Sequence, residues 1–329
     1  MRLIRVTVYA GLALLLVWSV AFFVVPTRWH DQPCELDVNS GLGLRQVARQ
    51  LVQQGILWEP WSFTLVGRML GRQSKLKAGS YEWSSPPTPW TLLTALTEGP
   101  EGGWEIRVVE GQTFAQMRQE LARQSSLRQD TTRWTDAEIM AKLGEAGSAP
   151  EGWFYPDTYV YAPGDSDWSI LQRSHRAMQR HLHEVWQQRD PGLPWQTPYQ
   201  ALIVASLIEK ETASSPERPR IAAVFVNRLR LGMRLQSDPT VIYGMGSAYD
   251  GHLHHHDLHQ DTPFNTYTRQ GLTPTPIALP GLAALRAAVH PQAVSDLYFV
   301  ARGDGTHQFS ATLAAHQNAV VRYQLQQGP

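Results

Sequence analysis

The chain has 329 residues, with 29 basic and 29 acidic side chains and a formal net charge of zero. That length admits two folded domains with a real core, and 43% hydrophobic residues exclude intrinsic disorder. Balanced charge with no basic run gives nucleic acid nothing to bind. The single cysteine, Cys34, excludes an intrachain disulfide and any multi-cysteine metal site. Twelve tryptophans and eleven tyrosines supply flat, hydrogen-bonding surface of the kind that stacks on sugars or fills a core.

Arg2 and Arg5 precede Val6–Val25, an uncharged apolar run, and then Pro26. As a helix this run covers the ~30 Å hydrocarbon layer. A cleaved signal peptide is the alternative. The run is longer than the usual apolar region of ~7–15 residues, however, and its exit, Phe22-Phe23-Val24-Val25-Pro26, offers no small-residue cleavage site. The prediction is an uncleaved single-pass anchor with Arg2 and Arg5 inside. In a bacterium the remainder then lies in the periplasm, outside the inner membrane.

Residues 27–36 read as a tether. Asn39-Ser40-Gly41 then leads into Leu44, Val47, Ala48 and Leu51, an amphipathic helical stripe. A second helix is predicted over Trp61–Leu70, a short strand over Lys77–Trp83, and a further helix over Trp90–Leu96, closed by Gly99-Pro100. After Gly111, the residues Phe114, Met117 and Leu121 echo the first stripe. Polar turns and amphipathic helices beside short strands look like small glycan-binding LysM modules. Residues 126–148 read as polar, with Asp130, Asp136 and Gly147 marking loops. Trp168–Gln188 reads as a helix carrying Ile170, Leu171, His175, Met178 and Leu182.

The next helix is unusual. Thr197 is an N-cap, Pro198 takes the first helical position, and Ala201-Leu202-Ile203-Val204-Ala205 is apolar nearly all round, so burial is expected. It runs directly into Glu209-Lys210-Glu211. A carboxylate at the end of a buried helix is costly unless it has a partner or a task, and last-turn glutamates also oppose the helix dipole. Glu209 and Glu211 lie ~200° apart around the helix and cannot share a site. Spacing alone does not choose between them.

Ala205-Ser206-Leu207-Ile208-Glu209-Lys210-Glu211-Thr212-Ala213 is followed by Val224–Leu229, Met233–Gly244 and Phe264-Asn265-Thr266-Tyr267. Upstream stands Glu151-Gly152-Trp153-Phe154-Tyr155-Pro156-Asp157-Thr158-Tyr159, and downstream His290-Pro291 and Leu297–Val300. Together these words closely resemble the endolytic murein transglycosylase family, MltG or YceG-like. The resemblance implies an α+β chain with an N-terminal transmembrane helix, a small LysM-like module and a mixed α/β catalytic domain. The boundaries expected are a cytoplasmic tail at 1–5, anchor at 6–25, tether and module at 26–105, and a YceG-like catalytic domain at 106–329.

It also implies a lyase that cuts the MurNAc–GlcNAc β-1,4 bond of peptidoglycan without water, leaving a 1,6-anhydro end. Its catalytic glutamate corresponds to Glu211, and the chemistry needs no cofactor or metal. Peptidoglycan glycan strands and the membrane are the implied partners, and a peptidoglycan synthase suits an enzyme that terminates growing strands. One carboxyl group serves twice, donating to the leaving oxygen and then removing the proton of the same sugar's 6-hydroxyl. A raised pKa is required, and an apolar helix wall supplies it by desolvation. Asp238, Tyr243, Asn265, Tyr267, Glu151 and Trp153 are the candidates for substrate binding. Arg228 and Arg234 are candidates for pairing with peptide-stem carboxylates or with Glu209.

Two departures stand out. Gly271-Leu272-Thr273-Pro274-Thr275-Pro276-Ile277 has Thr275 where the family's turn has glycine, which removes freedom at positive φ. His252, His254, His255, His256 and His259 crowd one loop where the resemblance lapses. They are expected to be a solvated surface rather than a zinc or copper site. The competing readings are a catalytically silent glycan-binding scaffold and a hydrolase. The hydrolase is disfavoured because no second carboxylate has a comparable buried context.

Overall fold

The protein is described by a computed structural model covering residues 2–29, 34–38, 41–83, 85–99, 104–161 and 164–325. Asn39, Ser40 and Pro100, which the sequence reading uses as boundaries, lie outside the described residues. The fold is mixed α/β and divides into two compact units. The first comprises residues 1–107, 124–128 and 157–166. The second comprises 108–123, 129–156 and 167–329.

The first unit begins with helix α1 (Arg2–Phe23), whose stretch Val6–Phe23 is long and apolar enough to cross a membrane. Strand β1 (Cys34–Val38) alternates, with Cys34, Leu36 and Val38 buried. Helices α2 (Leu44–Gln53) and α3 (Trp61–Met69) follow, then β2 (Gly79–Trp83), which pairs antiparallel with β1 from Cys34↔Trp83 to Val38↔Gly79. Thr88 caps α4 (Pro89–Glu98) by accepting from the Thr91 amide. Strands β3 (Trp104–Arg107) and β4 (Thr158–Tyr161) complete a four-stranded sheet in the order β1-β2-β4-β3, with β2 and β4 parallel. The predicted stripe Leu44, Val47, Ala48 and Leu51 is buried in this unit's core with Phe63, Leu92, Leu93 and Leu96. Both described ends of the expected tether are built into this unit. Thr27 is buried and bonded through its hydroxyl to the Pro87 carbonyl, and Cys34–Leu36 already belongs to β1.

The second unit is mainly helical. It contains α5 (Phe114–Arg123), α6 (Asp136–Lys142), α7 (Asp167–Gln187), α8 (Pro198–Glu211), α9 (Arg218–Arg230), α10 (Asp238–Met245), α11 (Leu282–Val289) and α12 (Leu313–Val320). One hairpin joins β5 (Tyr298–Ala301) to β6 (His307–Ser310). Asp136 opens a helix rather than marking a loop. Thr135 and Glu138 cap one another reciprocally there, with 3.2 Å from the Glu138 amide to the Thr135 hydroxyl and 2.7 Å from the Thr135 amide to the Glu138 carboxylate.

Helix α8 forms as its sequence dictates. Thr197 Oγ1 accepts from the Gln200 amide at 3.2 Å, Pro198 starts the helix, and every residue from Ala201 to Ile208 is buried. It packs against α7, α9, α10 and α11 and forms the axis of this unit's core. Gly152, at φ +83°, lies where a Cβ would meet the Pro276 ring at 2.5 Å. Gly152→Ala combines left-handed strain with a clash against a stiff ring and is expected to cost ~2–4 kcal/mol, read as a lowered thermal midpoint.

Candidate active site

Glu209 and Glu211 leave the same last turn of α8 for different surroundings. Glu209 is structurally committed. One carboxylate oxygen accepts from Arg218 Nη2 at 2.7 Å and the other from the Gly281 amide at 2.9 Å. Both partners of that ion pair are buried. Glu211 has a single hydrogen bond among the described residues, a 2.5 Å contact in which Ser237 donates to Oε1. Burial around its carboxyl pushes Glu211 up to about 7. The Ser237 hydroxyl and the Arg228 guanidinium pull the other way, and the nearby Asp238 charge adds to the rise.

The loop before α10 fixes Ser237. Its amide donates to Thr266 Oγ1 at 3.0 Å and its carbonyl accepts from Thr240 Oγ1 at 2.6 Å, while the two threonine hydroxyls share a 2.9 Å bond. All three residues are buried. Gln236, immediately before, is at φ +50°, the lone non-glycine residue at positive φ among the described residues. Strained backbone of this kind persists only where its surroundings over-determine it. Arg228 supplies that constraint. Its guanidinium donates to the carbonyls of Leu297 (2.6 Å), Leu235 (2.8 Å) and Arg234 (3.2 Å). The expected pairing with Glu209 falls to Arg218 instead, since Arg228 is spent on backbone carbonyls.

Tyr267 donates its hydroxyl to Asp238 Oδ1, and burial together with that bond raises its pKa. Glu211, Ser237, Asp238 and Tyr267 therefore form one group. Asn265 serves this group indirectly. Its Nδ2 donates to the carbonyls of Asp257, Leu258 and Gln260, and its Oδ1 accepts from the Tyr267 amide at 2.8 Å. These bonds shape the turn that carries Tyr267.

Glu151 is another buried carboxyl of this unit, so the expectation that no second carboxylate has a comparable buried context is overturned. Burial pushes Glu151 up to about 7 as well. Its two oxygens accept from the Phe114 amide at 2.9 Å and the Tyr243 hydroxyl at 3.1 Å. It thereby ties the start of α5 to α10. Trp153 is half-buried and stacked on Tyr199 at 5.7 Å between ring centres. Sequence reasoning passed over Ser237, the Thr240–Thr266 pair and Gln236, because short polar residues in a loop carry no pattern of their own. The Asp-Pro after Ser237 was the available signal.

The histidine loop is a surface feature. His252, His254, His255, His256 and His259 are exposed, His254 and His256 stack at 5.4 Å, and His256 lies 3.2 Å from Asp257. Among the described residues no group of three or more His, Cys, Asp or Glu side chains is arranged to hold a metal. Thr275 stands at negative φ, so that turn needs no glycine here. Its hydroxyl donates to the Pro276 carbonyl, and the next amide, Ile277, donates to Ser206 Oγ in the middle of α8.

Because Glu209 and Arg218 are both buried, removing one strands the other. Arg218→Met is expected to lose ~3–5 kcal/mol in denaturant unfolding, and pairing it with Glu209→Leu should recover most of that loss.

The YceG-like family model matches residues 36–322 of this chain. An endolytic murein transglycosylase of Bacillus subtilis is 28% identical over 317 residues, covering 88% of this chain and 84% of that protein. One from Streptococcus pneumoniae serotype 2 is 26% identical over 300 residues, and the chain spans about half (53%) of that relative's length. Among solved structures, a YceG-like protein of Listeria monocytogenes superposes with a TM-score of 0.54 at 27% identity. That match covers 87% of this chain and 98% of the other. A family match over nearly the whole chain, with a structural neighbour of the same description, places this protein in the YceG-like family.

Proposed function

We propose that this chain is a membrane-anchored endolytic lytic transglycosylase that cuts the MurNAc–GlcNAc β-1,4 bond of peptidoglycan and leaves a 1,6-anhydro-MurNAc end. The observation that carries the reading is Glu211: a carboxyl at the end of a buried helix, raised to about 7, with one oxygen held by Ser237 and the other free of protein hydrogen bonds among the described residues. The names of the bacillary and streptococcal relatives support the same activity.

In this mechanism protonated Glu211 donates to the glycosidic oxygen as the C1–O bond breaks. The resulting carboxylate then takes the proton of the 6-hydroxyl on the same sugar while that oxygen closes on C1. Glu211 ends protonated, and no water enters the products. Ser237 supports the carboxylate stage, and Asp238 with its Tyr267 partner supplies negative charge near the oxocarbenium-like centre. Glu151, Trp153, Tyr243 and Asn265 belong to the proposed substrate-binding region, Glu151 and Asn265 as positioning residues. A hydrolase would need a second carboxylate free to direct water or attack; both oxygens of Glu151 are already occupied.

Residues 6–25 serve as a single-pass inner-membrane anchor behind a cytoplasmic tail at 1–5, with the remainder in the periplasm and residues 106–329 as the catalytic domain. Residues 26–105 are read as a LysM-like glycan-binding module, supported by the β1-α2-α3-β2 order and its antiparallel strand pair. Tethering at the membrane suits termination of strands as a synthase releases them.

Four measurements test this reading. Glu211→Gln should keep the fold and glycan binding but lower turnover ~10²–10⁴-fold or more, whereas Glu209→Gln should retain chemistry at reduced stability. Mass spectrometry of digested peptidoglycan should find anhydro ends; reducing ends would indicate a hydrolase, and no cleavage a scaffold. The acid form of Glu211 is the reactive one, so kcat/KM should be level at mildly acidic pH and fall as pH rises through about 7. Ser237→Ala removes a bond that favours the ionised form, so that limb should move to higher pH. The stability effect has a definite sign too. A pKa raised from 4.5 to about 7 means the folded state holds the proton more tightly, so stability is lost as pH climbs through that window. Glu211→Gln should therefore be the more stable protein at pH 8, by ~3 kcal/mol.

A further inference from the structure

Within the first unit, α1 does not stand clear of the rest. From Trp18 onward one of its faces is packed. Trp18 Nε1 donates to Ser62 Oγ at 2.6 Å, Trp18 stacks on Trp61 at 6.4 Å, Phe22 is buried, and Phe23 meets Trp90 at 5.2 Å. The part of the helix without such neighbours, Val6–Val17, rises only ~18 Å. That is short of the ~30 Å hydrocarbon layer. If α1 spans the membrane, Trp18 to Val25 must be immersed too, and the side chains packed on them sit at that depth.

Those neighbours suit such a place. Trp58 is 73% exposed, Trp61 58% and Met69 78%, with Leu65 and Leu70 also exposed, although each is large and apolar. Trp61, Leu65 and Met69 recur at intervals of four on the outer side of α3. Arg68 belongs to the same surface, and Arg45 and Arg49 of α2 line one groove with Trp61 and Leu65. Arg28 lies over the Trp58 ring at 3.8 Å. The nearby acid, Glu59, is engaged by the Trp61 and Ser62 amides at the start of α3. Tryptophan rings with basic side chains beside them are what an interface of acyl chains and anionic phosphates selects.

We infer that the outer face of α3, with Trp58, Trp61, Leu65 and Met69, is sunk into the outer interface of an anionic bilayer, and that Arg45, Arg49 and Arg68 engage its phosphates. This rests on the reading of α1 as a membrane span and adds a second, peripheral membrane contact to it. The small unit is then held at a fixed height instead of swinging on its anchor.

Spin labels on the full-length chain in vesicles test this. Cys34 is buried, so introduced thiols at Leu14→Cys, Trp58→Cys and Met69→Cys take the label one at a time. In phosphatidylglycerol–phosphatidylcholine vesicles, positions 58 and 69 should show an oxygen-to-nickel accessibility ratio several-fold above that of an aqueous label. Position 14 should lie deeper still. Glu replacing Arg45, Arg49 and Arg68 together should return position 69 towards the aqueous value, as should pure phosphatidylcholine. Position 14 in hydrocarbon with 58 and 69 fully aqueous overturns the inference while sparing the anchor, and leaves the α3 face to a protein partner. An aqueous position 14 overturns the anchor and the inference together. Immersion indifferent to lipid charge and to the three Glu substitutions overturns the role given to the arginines.

Discussion

A carboxyl group on the last turn of a helix whose middle, Ala201 to Ile208, is wholly buried loses much of the hydration that holds a free glutamate near its ordinary pKa. Residues 201–208 of α8 bring the apolar core right up to Glu211, and four other helices pack on α8. The raised pKa is thus a consequence of where the helix ends against this core. It ends there because Thr212 adopts extended backbone. Core packing and the raised pKa are in this sense one structural decision.

Desolvation alone would favour a permanently neutral acid, which could donate a proton once but would be a poor base afterwards. The Ser237 hydroxyl counters this by supporting the ionised form. Its position is enforced by the buried Thr240–Thr266 pair, by Arg228 gripping successive carbonyls, and by Gln236 held at positive φ. Polar groups buried in such a network are costly if left unmet, so each bond reinforces the others. The strain at Gln236 adjoins the residue that touches Glu211.

Much of this was legible in the sequence because it rests on pattern. The cap at Thr197, the proline after it and the unbroken apolar run foretold α8, and the stripe from Leu44 to Leu51 foretold α2. The words around Glu211 carried the family. Other features were invisible because they depend on contacts between distant segments. Arg218, not Arg228, meets Glu209 across a turn whose path spacing does not give. The three backbone carbonyls that accept from Asn265 come from a loop whose path only the fold reveals. Asp136 lay in a stretch dismissed as polar, although Thr135 and Glu138 spell a capping box. That one was readable and was missed.

Glu151 and Glu211 make the sharper point about how a site is recognised. Burial pushes both carboxyls up to about 7, so perturbation by itself ranks them equally. Their bonding separates them. Glu151 accepts from a helix amide with one oxygen and from the Tyr243 hydroxyl with the other, so its two oxygens serve to join α5 to α10. Glu211 gives one oxygen to Ser237 and keeps the other uncommitted. A group that must give a proton and take one back needs that open oxygen as much as it needs the pKa. Glu209 lacks it for the same reason as Glu151, with Arg218 on one side and the Gly281 amide on the other. Of three acidic side chains in the same helical unit, all raised by burial, one retains the valence that proton transfer requires.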